Sequence, residues 1–412
     1  MTRNTKFSSV AATEENPAWE ALIRRERELY SRDDDVRSPF ARDYTRILHS
    51  MAYRRLKHKT QVFFNIENDH ICTRIEHVNH VESVSSTIAR RLGLNEELTK
   101  AIALGHDLGH APFGHPGEKV IKSLSQQYLG KDFWHEQNGL RFVDRLELLK
   151  DPYNKRRNLD LTYAVRDGII SHCGEVDQNG ISPRSELIPL EDFERPAQFQ
   201  PATWEGCVVK LADKISYLGR DIEDALELGF LDREVRGELA EMAQMYDAGA
   251  INTTVIIHNM IINICENSTP ERGIVMDERF HEQMCRLMEF NYRYIYRHER
   301  LEPFQHYSEL VLRQIFETLL RCYDGRRTFQ ALADRLRFTP VLRSSFEEWL
   351  SCYCDPEIVP AGKLGELAQS CGNEKVFHRL EDEKTYVQAV IDYISGMTDR
   401  FAITLFQELL TY

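Results

Sequence analysis

Apolar residues recur every three or four positions along most of the chain, and strict alternation is scarce, so the sequence predicts helices and little sheet. Residues 77–92 show the pattern. Val78, Val81, Val84, Ile88 and Leu92 fall on one face of a helix. Asn95 reads as the N-cap of the next helix, with Glu96 and Glu97 in its first turn, where carboxylates suit the helix dipole. That helix carries Leu98, Ile102 and Leu104 into Gly105-His106-Asp107. Helical spacing returns at about Trp204 and runs through KLADKISYLGRDIEDALELG, with Gly229 placed to cap it. The expected fold class is all-α.

The interruptions give the organisation. Residues 1–36 are polar and charged and read as an N-terminal arm with a mobile tip. Residues 37–300 read as a helical core, and 301–412 as further helices packed on it. Pro183, Pro189, Pro196 and Pro201 mark 174–203 as an irregular insertion or lid, because proline repeatedly interrupts helix. Short breaks are expected at 267–273, 303–307 and 355–363.

Composition narrows the classes. The 412 residues are 42% hydrophobic, enough for a real core, and no stretch approaches the ~18 apolar residues of a membrane span. The first twenty residues lack the apolar run of a secretory signal. Nine cysteines without a C-x₂-C array suggest neither a zinc ribbon nor a disulfide framework, and favour a reducing, cytoplasmic setting. A net charge of −13 argues against broad coating of nucleic acid, though a local basic pocket can still grip an anion.

Four residues carry candidate chemistry: His77, His106, Asp107 and Asp213. Asp213 interrupts the apolar run VVKLA, and a buried carboxylate is costly unless paired or bound to a cation. Imidazole with carboxylate suits a first-row divalent ion better than Ca²⁺. The segment HDLGHAPFGHPGE adds His110, His115 and Glu118 within a dozen residues. Its glycines and prolines predict that the second half is a shaped loop rather than a helix. His135 and Glu136 supply another imidazole and acid.

These stretches resemble the HD-domain deoxynucleoside triphosphate triphosphohydrolases, the dGTPase-like group. The matching segments are RSPFARDYTRILHSMAYRRLKHKTQVF (37–63), DHICTRIEHVNHVESV (69–84), AIALGHDLGHAPFGHPGE (101–118), PATWEGCVVKLADKISYLGRDIEDAL (201–226) and DYISGMTDRFA (392–402). The resemblance implies an HD-domain helical core with one divalent ion (Mn²⁺, Mg²⁺, Fe²⁺, Co²⁺, Ni²⁺ or Zn²⁺) held by His77, His106, Asp107 and Asp213. It implies water attack at the α-phosphorus, releasing a deoxynucleoside and intact triphosphate. It assigns His115 the catalytic role, with Glu118 orienting it, and sets His110 and His135 beside the phosphates. It gives Arg74, Lys214 and Tyr217 to the phosphates, Asp221 to the 3′-hydroxyl, and Gln61 to the nucleoside. Arg55 is expected near the substrate, and Tyr296 is the member of the Tyr292, Tyr294 and Tyr296 cluster expected near the nucleotide. The implied partners are a dNTP substrate, further copies of the chain in a tetramer or hexamer, a nucleotide effector and weakly bound single-stranded DNA, with no membrane. The alternatives are an HD phosphohydrolase of other regiochemistry, such as a 5′-nucleotidase or phosphodiesterase, and a regulatory nucleotide-binding protein. The Arg-Gly-Arg signature of many bacterial members is absent, with SRDDDVRSPF in its place.

Overall fold

The computed structural model describes residues 6–27, 35–64, 70–151, 153–173, 179–244 and 253–411. The helices run α1 (Trp19–Leu22), α2 (Pro39–His49), α3 (Met51–Arg55), α4 (Arg74–Leu92), α5 (Glu96–Gly105), α6 (Gly114–Leu129), α7 (His135–Arg141), α8 (Tyr163–Ser171) and α9 (Trp204–Glu227). They continue through α10 (Arg233–Gln244), α11 (Thr253–Asn267), α12 (Glu278–Asn291), α13 (Glu302–Leu320), α14 (Thr328–Arg335), α15 (Pro340–Ser351), α16 (Lys363–Ser370), α17 (Glu383–Ser395) and α18 (Asp399–Leu410). Strands β1 (Leu149–Lys150) and β2 (Arg156–Arg157) form a short antiparallel hairpin with Leu149 opposite Arg157. The fold is all-α. Among the described residues, no helix is long and apolar enough to cross a membrane.

Local chemistry sets the helix ends that frame the site. Thr73 and Glu76 form a reciprocal capping box at the start of α4, and Gly93, at φ 85°, ends that helix in the left-handed conformation. Asn95 Oδ1 accepts from the N–H groups of Glu97 and Leu98, and Thr203 Oγ1 accepts from Gly206 N. Each such cap contributes about 1 kcal/mol. The three helices so delimited, α4, α5 and α9, pack on one another at the centre, with α2 and α8 against α5.

One hydrophobic core extends from Phe7 to Phe406, so the helices beyond residue 300 share the core of those before it. The segment read as an arm is packed over residues 6–27. Phe7 is fully buried with its ring edge-on to Trp204, centroids 5.0 Å apart, and Glu205 Oε1 accepts from Ala12 N and Asn95 N. A few apolar residues in a charged stretch suffice, because they fill a notch between the starts of α5 and α9. The break expected at 303–307 lies inside α13. Pro303 occupies its first turn, where the missing N–H costs nothing. The proline-rich segment is irregular, as its composition demands, apart from a short turn at Leu190–Asp192. Arg184 fastens it to the buried Asp167 of α8, and Phe193 is buried. Residues 174–178 of that segment lie outside the described residues.

Candidate metal centre

α4 presents Arg74 and His77, the end of α5 leads into His106 and Asp107, and α9 presents Asp213. The four residues expected as ligands converge. His77 Nε2 is 3.0 Å from Asp213 Oδ1, and His106 Nε2 is 3.7 Å from both Asp213 Oδ1 and Asp107 Oδ1. These are edge lengths of a coordination polyhedron with bonds of ~2.0–2.2 Å. His106 Nδ1 donates to the carbonyl of Ala103 at 2.6 Å, which leaves the Nε2 lone pair facing the acids. That buried Nε2 has no hydrogen-bond partner among the described residues. An orphaned acceptor of this kind, aimed between two carboxylates and a second imidazole, fits a divalent ion.

Electrostatics agree. Burial disfavours charge on Asp107, but His110 and Arg74 outweigh it and hold the carboxyl well below its usual range. Arg74 Nη1 donates to Asp107 Oδ2 at 2.9 Å, and His110 Nδ1 lies 2.8 Å from Asp107 Oδ1. Burial and then Arg74 push the His110 imidazole well down, against the pull of Asp107. His135 moves the opposite way. Burial opposes its charge, yet Glu136 and Glu118 raise it well above the ordinary value.

The imidazoles form a file. Ring centroids step from His77 to His106 (5.6 Å), His172 (5.0 Å), His135 (5.6 Å), His110 (3.8 Å) and His115 (6.3 Å). His115 stands at the open end, its side chain 71% exposed and 3.9 Å from Glu118 Oε2. The half of HDLGHAPFGHPGE expected as loop is the first turn of α6. Pro116 is tolerated there because first-turn N–H groups have no helical partner. Phe113 makes the turn at φ 66°, and Gly117 lies where a Cβ would stand 1.8 Å from the Pro112 carbonyl oxygen.

Around this file, Tyr296 donates to Asp221 Oδ2 at 2.6 Å, and Asp221 Oδ1 has no partner among the described residues. Burial lifts Asp221 to about 7. Lys214 is buried and Tyr217 half-buried on the same helix. Gln61 comes close to Gly114 at the start of α6. Arg55 pairs with Glu147 and lies over the Phe142 ring, and its buried Nε has no hydrogen-bond partner among the described residues. Of Tyr292, Tyr294 and Tyr296, the first is exposed and the other two pack partly on the core.

The sequence reading passed over His172, Lys59 and Asp399. His172 closes the apolar run of α8, and its Nδ1 donates to the Ile169 carbonyl at 2.7 Å. Lys59 is buried and donates to the carbonyls of His110 and Ser395, and burial lowers it to about 7. Asp399 accepts from Thr60 N at 2.9 Å and from Phe113 N at 2.8 Å, pinning both walls of the loop. Asp399→Ala leaves the buried Phe113 N–H without an acceptor, a cost of about 1–3 kcal/mol. Thermal unfolding is expected to fall accordingly, with turnover down about tenfold or more and the metal content of the purified protein unchanged.

The fold and this centre define a metal-dependent phosphohydrolase of the HD class. The HD domain model matches residues 74–218, and the phosphohydrolase-associated domain model matches 373–408. Similar proteins from several bacteria carry the name deoxyguanosinetriphosphate triphosphohydrolase-like protein. That of Desulfatibacillum aliphaticivorans is 34% identical over 91% of this chain and 88% of its own length. That of Caldanaerobacter subterraneus subsp. tengcongensis is 32% identical over 91% and 86%. That of Paracoccus denitrificans is 32% identical over 94% and 97%. The chain belongs to this deoxyguanosinetriphosphate triphosphohydrolase-like family.

Proposed function

We propose that the protein hydrolyses deoxynucleoside triphosphates to deoxynucleoside and inorganic triphosphate, by water attack at the α-phosphorus. The observation that carries this reading is the single face of α9. Asp213, Tyr217 and Asp221 follow at four-residue steps, so a metal ligand, an aromatic ring and a free carboxylate oxygen lie in line over about 12 Å. Asp221 Oδ1 is then the acceptor for the 3′-hydroxyl, and Tyr217 the floor under the sugar.

His77, His106, Asp107 and Asp213 would hold the ion. When bound, it polarises the phosphate and lowers the pKa of water. The chain's own groups do the rest. Arg74, charged and buried against Asp107, faces the phosphate oxygens. His110 and His135 line the phosphate side, Lys214 adds charge from α9, and Gln61 meets the nucleoside. His115, at the open end of the file, delivers a proton to the leaving 5′-oxygen, and Glu118 beneath it sets the ring.

The test is a product assay with each of the four dNTPs and GTP, the metal-loaded protein and an Asp107→Ala control. Deoxynucleoside plus intact triphosphate is the expected outcome. Monophosphate plus pyrophosphate would overturn the regiochemistry.

Two predictions accompany it. If Tyr217 closes the space below the sugar, Tyr217→Ala lowers the dGTP-to-GTP ratio of kcat/KM by about tenfold, mainly through gained GTP cleavage. A carboxylate accepts a hydroxyl more strongly than its protonated form does. With Asp221 at about 7, substrate KM is expected to fall as pH rises from 6 to 8, and Asp221→Asn to flatten that dependence.

A further inference from the structure

The file of imidazoles contains a second group of donors, in which His135 is joined by two residues, His172 and Cys173, that have no part in the proposed hydrolysis. We propose that His135, His172 and Cys173 form a second cation site, of two-nitrogen, one-sulfur character, that takes a zinc-class divalent ion. Their three donor atoms lie within 4.8 Å of one another. His135 Nε2 is 3.5 Å from Cys173 Sγ. A tetrahedral ion with a metal–nitrogen bond of ~2.0–2.1 Å and a metal–sulfur bond of ~2.3 Å holds its ligands about 3.5 Å apart. The pair already stands at that spacing.

Both imidazoles are set by their other nitrogen. The Nδ1–H of His172 is spent on the Ile169 carbonyl, so its Nε2 is the acceptor. Nδ1 of His135 faces Glu118 Oε1 at 3.3 Å and Glu136 Oε2 at 3.5 Å. A carboxylate behind an imidazole fixes the tautomer and raises the basicity of the metal-facing nitrogen. Glu136 Oε2 is buried with no hydrogen-bond partner among the described residues, and so is free to serve there.

The sulfur decides the class of ion. One thiolate with two imidazoles favours Zn²⁺ or Co²⁺ over Mg²⁺ or Ca²⁺, and three protein ligands leave a fourth position open. None of the three residues is among His77, His106, Asp107 and Asp213. The His172 donor lies within 4.8 Å of those of His106 and Asp107, so the second site adjoins the first.

The experiment strips the full-length protein with a chelator and titrates it with Co²⁺. It reads cobalt bound per chain and the near-ultraviolet sulfur-to-cobalt charge-transfer band. The cluster around Asp213 offers only nitrogen and oxygen donors and gives no such band. Two equivalents are expected, one of them bringing the band. Cys173→Ser is expected to lose the band and one equivalent, whereas Asp213→Ala loses the other equivalent and keeps the band. A wild-type protein without the band, or a band that persists in Cys173→Ser, overturns the proposal. His135→Asn, verified as helical by circular dichroism, guards against a misfolded serine variant. If it binds the thiolate-linked cobalt as tightly as wild type, the proposal also fails. Because the readout is spectroscopic and Asp213→Ala removes only the hydrolytic ion, failure here is distinct from failure of the phosphohydrolase reading.

Discussion

Asp107→Ala is expected to lose the hydrolytic ion and to cut nucleotide turnover by about 10³-fold or more. The residue does two jobs. Its Oδ1 lies 3.7 Å from His106 Nε2 and 2.8 Å from His110 Nδ1, while its Oδ2 receives Arg74 at 2.9 Å. Alanine removes a proposed ligand and also strands the side chain of Arg74, a residue only 2% exposed. A buried charge that loses its partner typically costs 3–5 kcal/mol. Asp107→Asn separates the effects. It keeps the shape and one carbonyl oxygen, so it should fold closer to wild type while binding metal poorly. Metal content by mass spectrometry, thermal unfolding and the product assay together check this. An alanine variant that retains full metal content would remove Asp107 from the ligand set.

The second large effect is expected from one added methyl group. A Cβ on Gly109 would stand 2.0 Å from the His135 carbonyl oxygen and 2.1 Å from Gly139 N, both backbone atoms of α7. Neither can swing aside as a side-chain tip can. Gly109→Ala must therefore push α7 off the loop, carrying His135 away from its 3.8 Å stack on His110. Overpacking usually costs 1–3 kcal/mol, and a backbone clash places this case at about 3 kcal/mol or more. Gly237→Ala is the control. It lies in α10 with nothing within 4 Å of the added Cβ, so it should stabilise by about 0.5–1 kcal/mol. Denaturant unfolding of the two variants reads the contrast directly.

How much was legible in the sequence depended on how local the cause was. The cap at Asn95 and the apolar face of α4 are written within a few residues, and α4, α5 and α9 begin close to where periodicity places them. Asp213 interrupts an apolar helical run and His106-Asp107 ends one, but the four-residue set with His77 is legible only through the family resemblance. The start of α6 was misread because Gly114, Pro116 and Gly117 were weighed as helix breakers. In a first turn, proline lacks nothing the helix needs, and glycine admits the Pro112 carbonyl. His172 looks like one more polar residue after DGII, since nothing local shows that its ring meets His106 from another helix. Asp399 carries the misleading signal of an ordinary first-turn acid after the cap Thr398, while its carboxylate serves residues 286 and 339 positions away. Lys59 ends the basic stretch RRLKHK, and charge runs usually mark a solvated face, so only packing reveals that it is buried.

That distant carboxylate bears on the order in which the chain is made. A ribosome has delivered every proposed ligand of the hydrolytic centre once Asp213 is synthesised, roughly half-way along the 412 residues. The aspartate that holds Phe113 and Thr60 in place follows nearly two hundred residues later. A nascent chain can thus hold the makings of a metal centre long before its catalytic loop has a shape. Contacts of such sequence separation form late in folding, after their loop-closure entropy has been met. On the proposed ligand set, metal capture and catalytic competence are separate events in the birth of this protein, and a chain arrested between them is expected to bind its ion without the loop that uses it.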